Sequence, residues 1–138
     1  MNNDIENYGA WETEPDHAEW THEESGYRCE IRRVPGMGHL CGYVTLPPGH
    51  PVNSEHKVGH TPHGGVTYFE KEGDCHKAGF DCAHLHDYSP QAPHTCITPE
   101  KTVYRTFAYV KGETNKLALA LYEQAKPHGS VNDKDTTP

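Results

Sequence analysis

The sequence predicts an α+β domain, a small antiparallel sheet with one C-terminal helix packed on it and long loops bearing Pro and His. Three observations predict it. Side chains alternate between apolar and polar across residues 26–34, short runs of β-formers bounded by Gly and Pro follow, and apolar residues at helical spacing close the chain.

Residues 1–25 are acidic and lack periodicity, so an irregular arm is expected, anchored on the domain by Trp11 and Trp20. Over 26–34, Tyr27, Cys29 and Ile31 fall on one face and Arg28, Glu30 and Arg32 on the other, which marks a half-buried strand. Turn residues 35–38 lead to a second strand, His39 to Leu46, ended by Pro47, Pro48 and Gly49. Cys29 and Cys41 are then candidates to meet across the hairpin as reduced core residues, while the arginines favour surface ion pairs with neighbouring Glu. The stretch from His50 to Gly65 reads as a loop; loops of that length are uncommon unless they serve a site or are disordered. A third strand is expected over 66–70 and a fourth over 77–84, separated by a Gly73-Asp74 turn. A Pro-bearing loop over 89–99 precedes a helix for which Thr98 is the expected N-cap, followed by Pro99 and Glu100. Val103, Phe107, Val110, Leu117 and Leu121 form one helical face, with Gly112 a possible break. A strand over 102–110 followed by a helix over 113–125 fits the same residues. The domain is thus placed at 26–126, and 127–138 is expected to be a disordered tail.

Composition narrows the function. Hydrophobic residues make up 33% and mean hydropathy is −0.88, yet eight Tyr, three Phe and two Trp argue against a wholly disordered chain. The formal net charge of −8 lacks the basic footprint that nucleic-acid binding needs. No stretch approaches the roughly 20 apolar residues that span a bilayer, and the N-terminus lacks a secretory pattern, so neither membrane nor export is expected. The five cysteines are odd in number and contain no C-x-x-C pair, which favours a reducing cytoplasm over a disulfide scaffold. Twelve histidines are too many for one site, so most are expected to be solvated. A homo-oligomer is compatible with exposed aromatics on an acidic domain, but the sequence fixes no interface.

Two segments carry chemistry. In His63-Gly64-Gly65-Val66-Thr67-Tyr68 an imidazole stands beside two residues without side chains, whose backbone N–H groups can cradle an anion or a carbonyl oxygen. The plainer reading is a glycine turn with a solvated His. In Gly79-Phe80-Asp81-Cys82-Ala83-His84-Leu85-His86-Asp87, residue types that ligate metals or move protons gather within nine positions. If extended, the segment puts Cys82, His84 and His86 on one face, a set that suits zinc. Without a metal, His84 or His63 serves as general base or donor and Asp81 orients an imidazole. Equally, Cys82 is a small buried residue and His84 bonds a carbonyl within the sheet. Walker, Rossmann, H-E-x-x-H and G-x-S-x-G motifs do not occur.

With the blocks Cys29-Glu30-Ile31, His39 to Val44, His63 to Tyr68 and Gly79 to His84 plus Asp87, the chain resembles a family of small uncharacterised proteins that recurs in tailed-phage and some bacterial genomes. The resemblance spans about residues 26–122 and rests on the combined patterns H-G-G-x-T-Y and G-F-D-C-A-H-x-x-D, which His63, Asp81, Cys82, His84 and Asp87 match and His86 does not enter. It implies a phage protein working in the host cytoplasm, in a setting where small proteins often counter host defences.

The leading expectation is a binding protein that sequesters a small anionic or polar ligand, in particular a nucleotide-derived immune signal. His63, Gly64, Gly65, Tyr68, Phe80, Asp81 and His84 are its ligand-binding residues. Its rival is a hydrolase in which zinc held by Cys82, His84 and Asp87 activates a water, with His63, Asp81 and His84 as catalytic groups. A structural or interaction protein of the phage particle is the third.

Overall fold

A computed structural model describes residues 9–84, 86–92 and 102–127. Among these residues five strands, β1 (His17–Thr21), β2 (Arg28–Arg33), β3 (Leu40–Leu46), β4 (Tyr68–Glu72) and β5 (Cys75–Asp81), pair antiparallel in the order β1-β2-β3-β5-β4, and a helix, α1 (Phe107–Ala125), packs on the sheet. The α+β expectation, with a small antiparallel sheet and a C-terminal helix, is what is found.

The register explains the packing. Pairing of Ile31 with Gly42, and of Gly42 with Phe80, sets Cys29, Ile31, Leu40, Val44, Leu46, Ala78 and Phe80 on one sheet face. Against it α1 lays Val110, Thr114, Leu117, Ala118 and Leu121, all buried. The loop between β3 and β4 is tied to this helix. His50 accepts from Val52 N–H at Nδ1 (2.9 Å), so its Nε2 carries the hydrogen donated to Leu121 O (2.9 Å). Gln124 bonds Gly59 N–H and Lys57 O, and Glu113 accepts from His63 N–H at 3.0 Å.

Several boundaries differ from expectation. The arm is not irregular throughout: His17–Thr21 forms the edge strand, because Ala18 and Trp20 turn inward and Trp20 Nε1–H donates to Asn115 Oδ1 at 2.8 Å. Cys29 pairs with Val44, and Cys41 with Arg32, so the two cysteines lie on opposite sheet faces. β4 runs over Tyr68–Glu72 rather than 66–70, and β5 ends at Asp81 rather than 84. The cause of that ending is local, since Asp81 Oδ1 accepts the Ala83 N–H at 3.0 Å and turns the chain out of the ladder. The helix starts at Phe107, where Thr106 Oγ1 accepts Tyr109 N–H (3.1 Å) and Glu14 accepts Phe107 N–H (3.0 Å). The expected cap at 98–100 lies outside the described residues. Gly112 sits inside α1 without breaking it, and residues 102–106 contribute one parallel bridge, Asp87 with Val103, instead of a strand. Most of the expected tail also lies outside the described residues.

Arg33 departs from its sisters. Arg28 and Arg32 make ion pairs with Glu19 and Glu30 at 2.7 Å, whereas the Arg33 side chain is largely covered and joins Asp16, Glu14, Gly38 O and the Tyr104 hydroxyl, fastening the arm to the segment that precedes α1. Trp11 packs on Tyr88 and Tyr104 in the same place.

On the sheet face away from α1, Glu30 is mostly buried and contacts His17 (2.7 Å), Arg32 (2.7 Å) and Lys77 (3.2 Å). Burial alone would raise its pKa, but these partners outweigh it and hold the carboxyl at about 2 against an ordinary 4.5. A depressed folded pKa adds stability above the unfolded value and loses it as pH falls through the folded one. Urea unfolding at pH 7 and pH 2.5 should therefore show Glu30→Gln losing less stability on acidification than the wild type, by up to about 3 kcal/mol. Equal losses would mean that the network contributes nothing.

Candidate functional site

The two segments singled out in the sequence fold against each other at the Asp81 end of β5. After Asp81 turns the chain, a tight turn closes with Asp87 N–H donating to His84 O (2.9 Å), and the Asp87 carboxylate folds back to accept His84 N–H (3.0 Å). The same carboxylate receives His63 Nε2 at 2.8 Å, His84 Nδ1 at 3.2 Å and Arg105 Nε at 2.8 Å. Its side chain is 2% exposed.

Burial would raise the Asp87 pKa, but Arg105, His63 and the His84 backbone N–H outweigh that, so the group is held below its ordinary value. An ionised carboxylate only accepts, which assigns hydrogens to His63 Nε2 and His84 Nδ1. In neutral His63 the other nitrogen, Nδ1, then accepts from the Tyr109 hydroxyl at 2.8 Å. One buried acid thus orients two imidazoles, one backed by a phenol and the other with Nε2 uncommitted among the described residues.

Gly64 is required by contact. Its φ is +69°, and a Cβ there would lie 2.1 Å from His84 Cε1, so only glycine lets the backbone run against that ring. Gly65, also at positive φ, uses its N–H to close a turn onto Pro62 O at 2.7 Å. The expected cradle of two glycine donors is thereby reduced to the Gly64 N–H.

Other expected site residues are placed elsewhere. Phe80 is 1% exposed in the core, beneath α1, and cannot meet a ligand. Tyr68 stacks edge-on against Tyr43 and donates to Glu72 on the opposite sheet face. Asp81 is 3.9 Å from His84 Nδ1 and accepts from Thr67 Oγ1 (2.9 Å), so Asp87 is the orienting acid instead. Cys82 is also 1% exposed, within the apolar core; burial first and the Asp87 charge second push its thiol up, so it stays protonated and a poor ligand. Because the strand ends at Asp81, Cys82, His84 and His86 share no strand face, and His86 is exposed outside the cluster. At this end of β5 the ligand atoms that gather are those of His63, His84 and Asp87, within 4.8 Å of one another; His17, Glu19 and Glu30 form a second such group on the sheet face away from α1.

Arg105 and Tyr109 are the functional candidates that sequence reasoning missed. They stand four residues apart across the start of α1, and the Arg105 guanidinium lies 5.5 Å from the Tyr109 ring centroid. That spacing was the available signal, but nothing in it points at Asp87. No protein family, curated protein or solved structure matches the chain.

Proposed function

We propose that this is a small-molecule binding protein whose site takes an anionic group at His84, Arg105 and the Gly64 N–H. The supporting observation is which groups remain uncommitted once the network is satisfied. Asp87 is enclosed and occupied by four donor groups, while His84 Nε2, the terminal nitrogens of Arg105 and the Gly64 N–H have no partner among the described residues. The Arg105 fork and the Gly64 N–H are donors that select a phosphate or carboxylate, the guanidinium through charge-assisted bonds, while His84 Nε2, the accepting nitrogen of a ring whose hydrogen is on Nδ1, suits a hydroxyl or N–H of the same ligand. Because the orienting acid is fixed from four sides, the donors are held in place before the ligand arrives, which reduces the ordering cost of binding.

The resemblance to phage proteins gives this chemistry a setting. In that reading the ligand is a nucleotide-derived immune signal, and the protein acts in the host cytoplasm by sequestration, without breaking a bond. Titration calorimetry of the full chain with cyclic nucleotides and ADP-ribose derivatives tests it. A ligand from this panel is expected to bind, and His84→Ala and Arg105→Ala should each weaken it about ten-fold or more, as loss of a charged hydrogen bond of about 1.5–3 kcal/mol implies. Gly64→Ala, which displaces the His84 ring, should do the same. Absence of binding across the panel would remove the idea.

A second reading keeps a divalent metal. Its support is the trio His63, His84 and Asp87, two imidazoles and one carboxylate, a donor set known in open metal sites. These three residues would hold the metal, His63 taking the role expected of Cys82, and the bound metal would supply an activated water. Stoichiometric zinc in the purified protein, lost in His63→Ala, favours the hydrolase.

A further inference from the structure

At the end of β5 away from Asp81, a groove of about 350 Å³ opens between the β4–β5 hairpin and the 3-10 turn Glu55–Lys57. Its volume lies in the range of small-ligand sites, on the order of 300–1,000 Å³. Lys71 and His76 stand directly opposite each other across the β4–β5 ladder, and Phe69, two residues before Lys71, is on the same sheet face. The Phe69 ring lies against the His76 imidazole, centroids 5.4 Å apart at 32°, and packs on the core, which makes a fixed flat floor.

The basic side chains on this floor are unpaired. Neither Lys71 nor His76 has an ion pair or hydrogen bond among the described residues. The neighbouring Glu72 alternates to the other sheet face and meets Lys77 at 3.4 Å. Whenever His76 is protonated, two like charges face each other across a ladder, an arrangement that destabilises a sheet unless an anion lies between them. His56 adds a second imidazole, and Ser54, which precedes the turn, makes no side-chain cap bond, so its hydroxyl is free to donate. Glu55 is the acid of the groove and suits a ligand N–H or hydroxyl.

We propose that this groove is a second binding site, distinct from the Asp87 cluster, for a planar aromatic ring carrying a phosphate, the nucleoside monophosphate class. The ring lies on Phe69, and the phosphate bridges Lys71 and His76, with Ser54 and His56 at its edge. Both halves are needed, because a shallow groove gains too little from stacking alone.

Titration of the full chain with AMP, adenosine and inorganic phosphate, followed by backbone amide NMR shifts and calorimetry, tests the assignment. AMP should bind with shifts centred on residues 54–56 and 69–76, and adenosine and phosphate should each bind at least ten-fold more weakly. Lys71→Glu, an exposed edge-strand change that should leave the melting temperature unaltered, should lower the AMP affinity read from the shifts of residues 54–56 and 69–76 at least ten-fold, whereas His84→Ala should leave those shifts in place. The proposal is overturned if AMP does not bind, if its shifts centre on His84, if adenosine binds as tightly as AMP, or if Lys71→Glu has no effect.

Discussion

Replacing Asp87 by Ala should lower the stability at pH 7 by about 3 kcal/mol, because it leaves a half-buried guanidinium N–H and two imidazoles facing a carboxylate that is no longer there. Its four donor groups, Arg105 Nε, His63 Nε2, His84 Nδ1 and the His84 backbone N–H, lose their acceptor together, and among the described residues no other carboxylate accepts from all of them. For a domain whose whole stability is on the order of 5–15 kcal/mol, that is a large share. Asp87→Asn keeps one acceptor oxygen but turns an NH2 group toward the donors, so an intermediate loss is expected. The pH dependence follows from the depressed pKa of Asp87. The advantage of the wild type over Asp87→Ala is complete above the ordinary carboxylate range and shrinks as pH falls through the folded pKa. Denaturant unfolding of both proteins at pH 7 and pH 3 measures this. A gap that is absent at pH 7, or no narrower at pH 3, would show that the acid does not hold the site together.

How much of this was readable beforehand depends on where the deciding interaction lies. Strands β2 and β3 announce themselves, because Cys29 and Ile31 alternate with charged residues and Val44 and Leu46 follow in a β-rich run. The inward face of α1 is legible from the spacing of Val110, Leu117 and Leu121. Strand β1 is not, since only Ala18 and Trp20 turn inward and its remaining residues are polar. The end of β5 was misplaced because a single side chain, Asp81, competes with the ladder for a backbone N–H, and periodicity is blind to such competition. At the site, the density of His and Asp identified His63, His84 and Asp87, while burial, a tertiary quantity, decided against Cys82 and Phe80. Arg105 and Tyr109 stayed hidden because a partly exposed Arg and Tyr at the start of a helix look like any surface pair. Their roles come from the turn at His84 to Asp87, which carries an acid toward the helix from another part of the chain.

The glycine that sets the distance between sheet and helix should be as intolerant as the acid at the site. A Cβ on Gly42 would lie 2.2 Å from Thr114 Oγ1 and 2.7 Å from a ring carbon of Phe80, far inside contact distance. Neither neighbour yields easily. Thr114 is fully buried with its hydroxyl donating to Val110 O at 2.7 Å, and Phe80 fills the middle of the core. Relief requires α1 to lift from β3, so Gly42→Ala should cost about 2–3 kcal/mol and Gly42→Val more, at the upper end of overpacking penalties or beyond. Since α1 carries Tyr109 and begins two residues after Arg105, the lift should reach the Asp87 cluster as well, a coupling absent from any list of its direct contacts. A double-mutant cycle with Thr114→Ala separates the causes. If the clash with Oγ1 dominates, Thr114→Ala should recover roughly half of the loss seen in Gly42→Ala; if Phe80 dominates, the two changes should add. A Gly42→Ala protein as stable as the wild type would mean that the helix rides further from the sheet than its buried residues indicate.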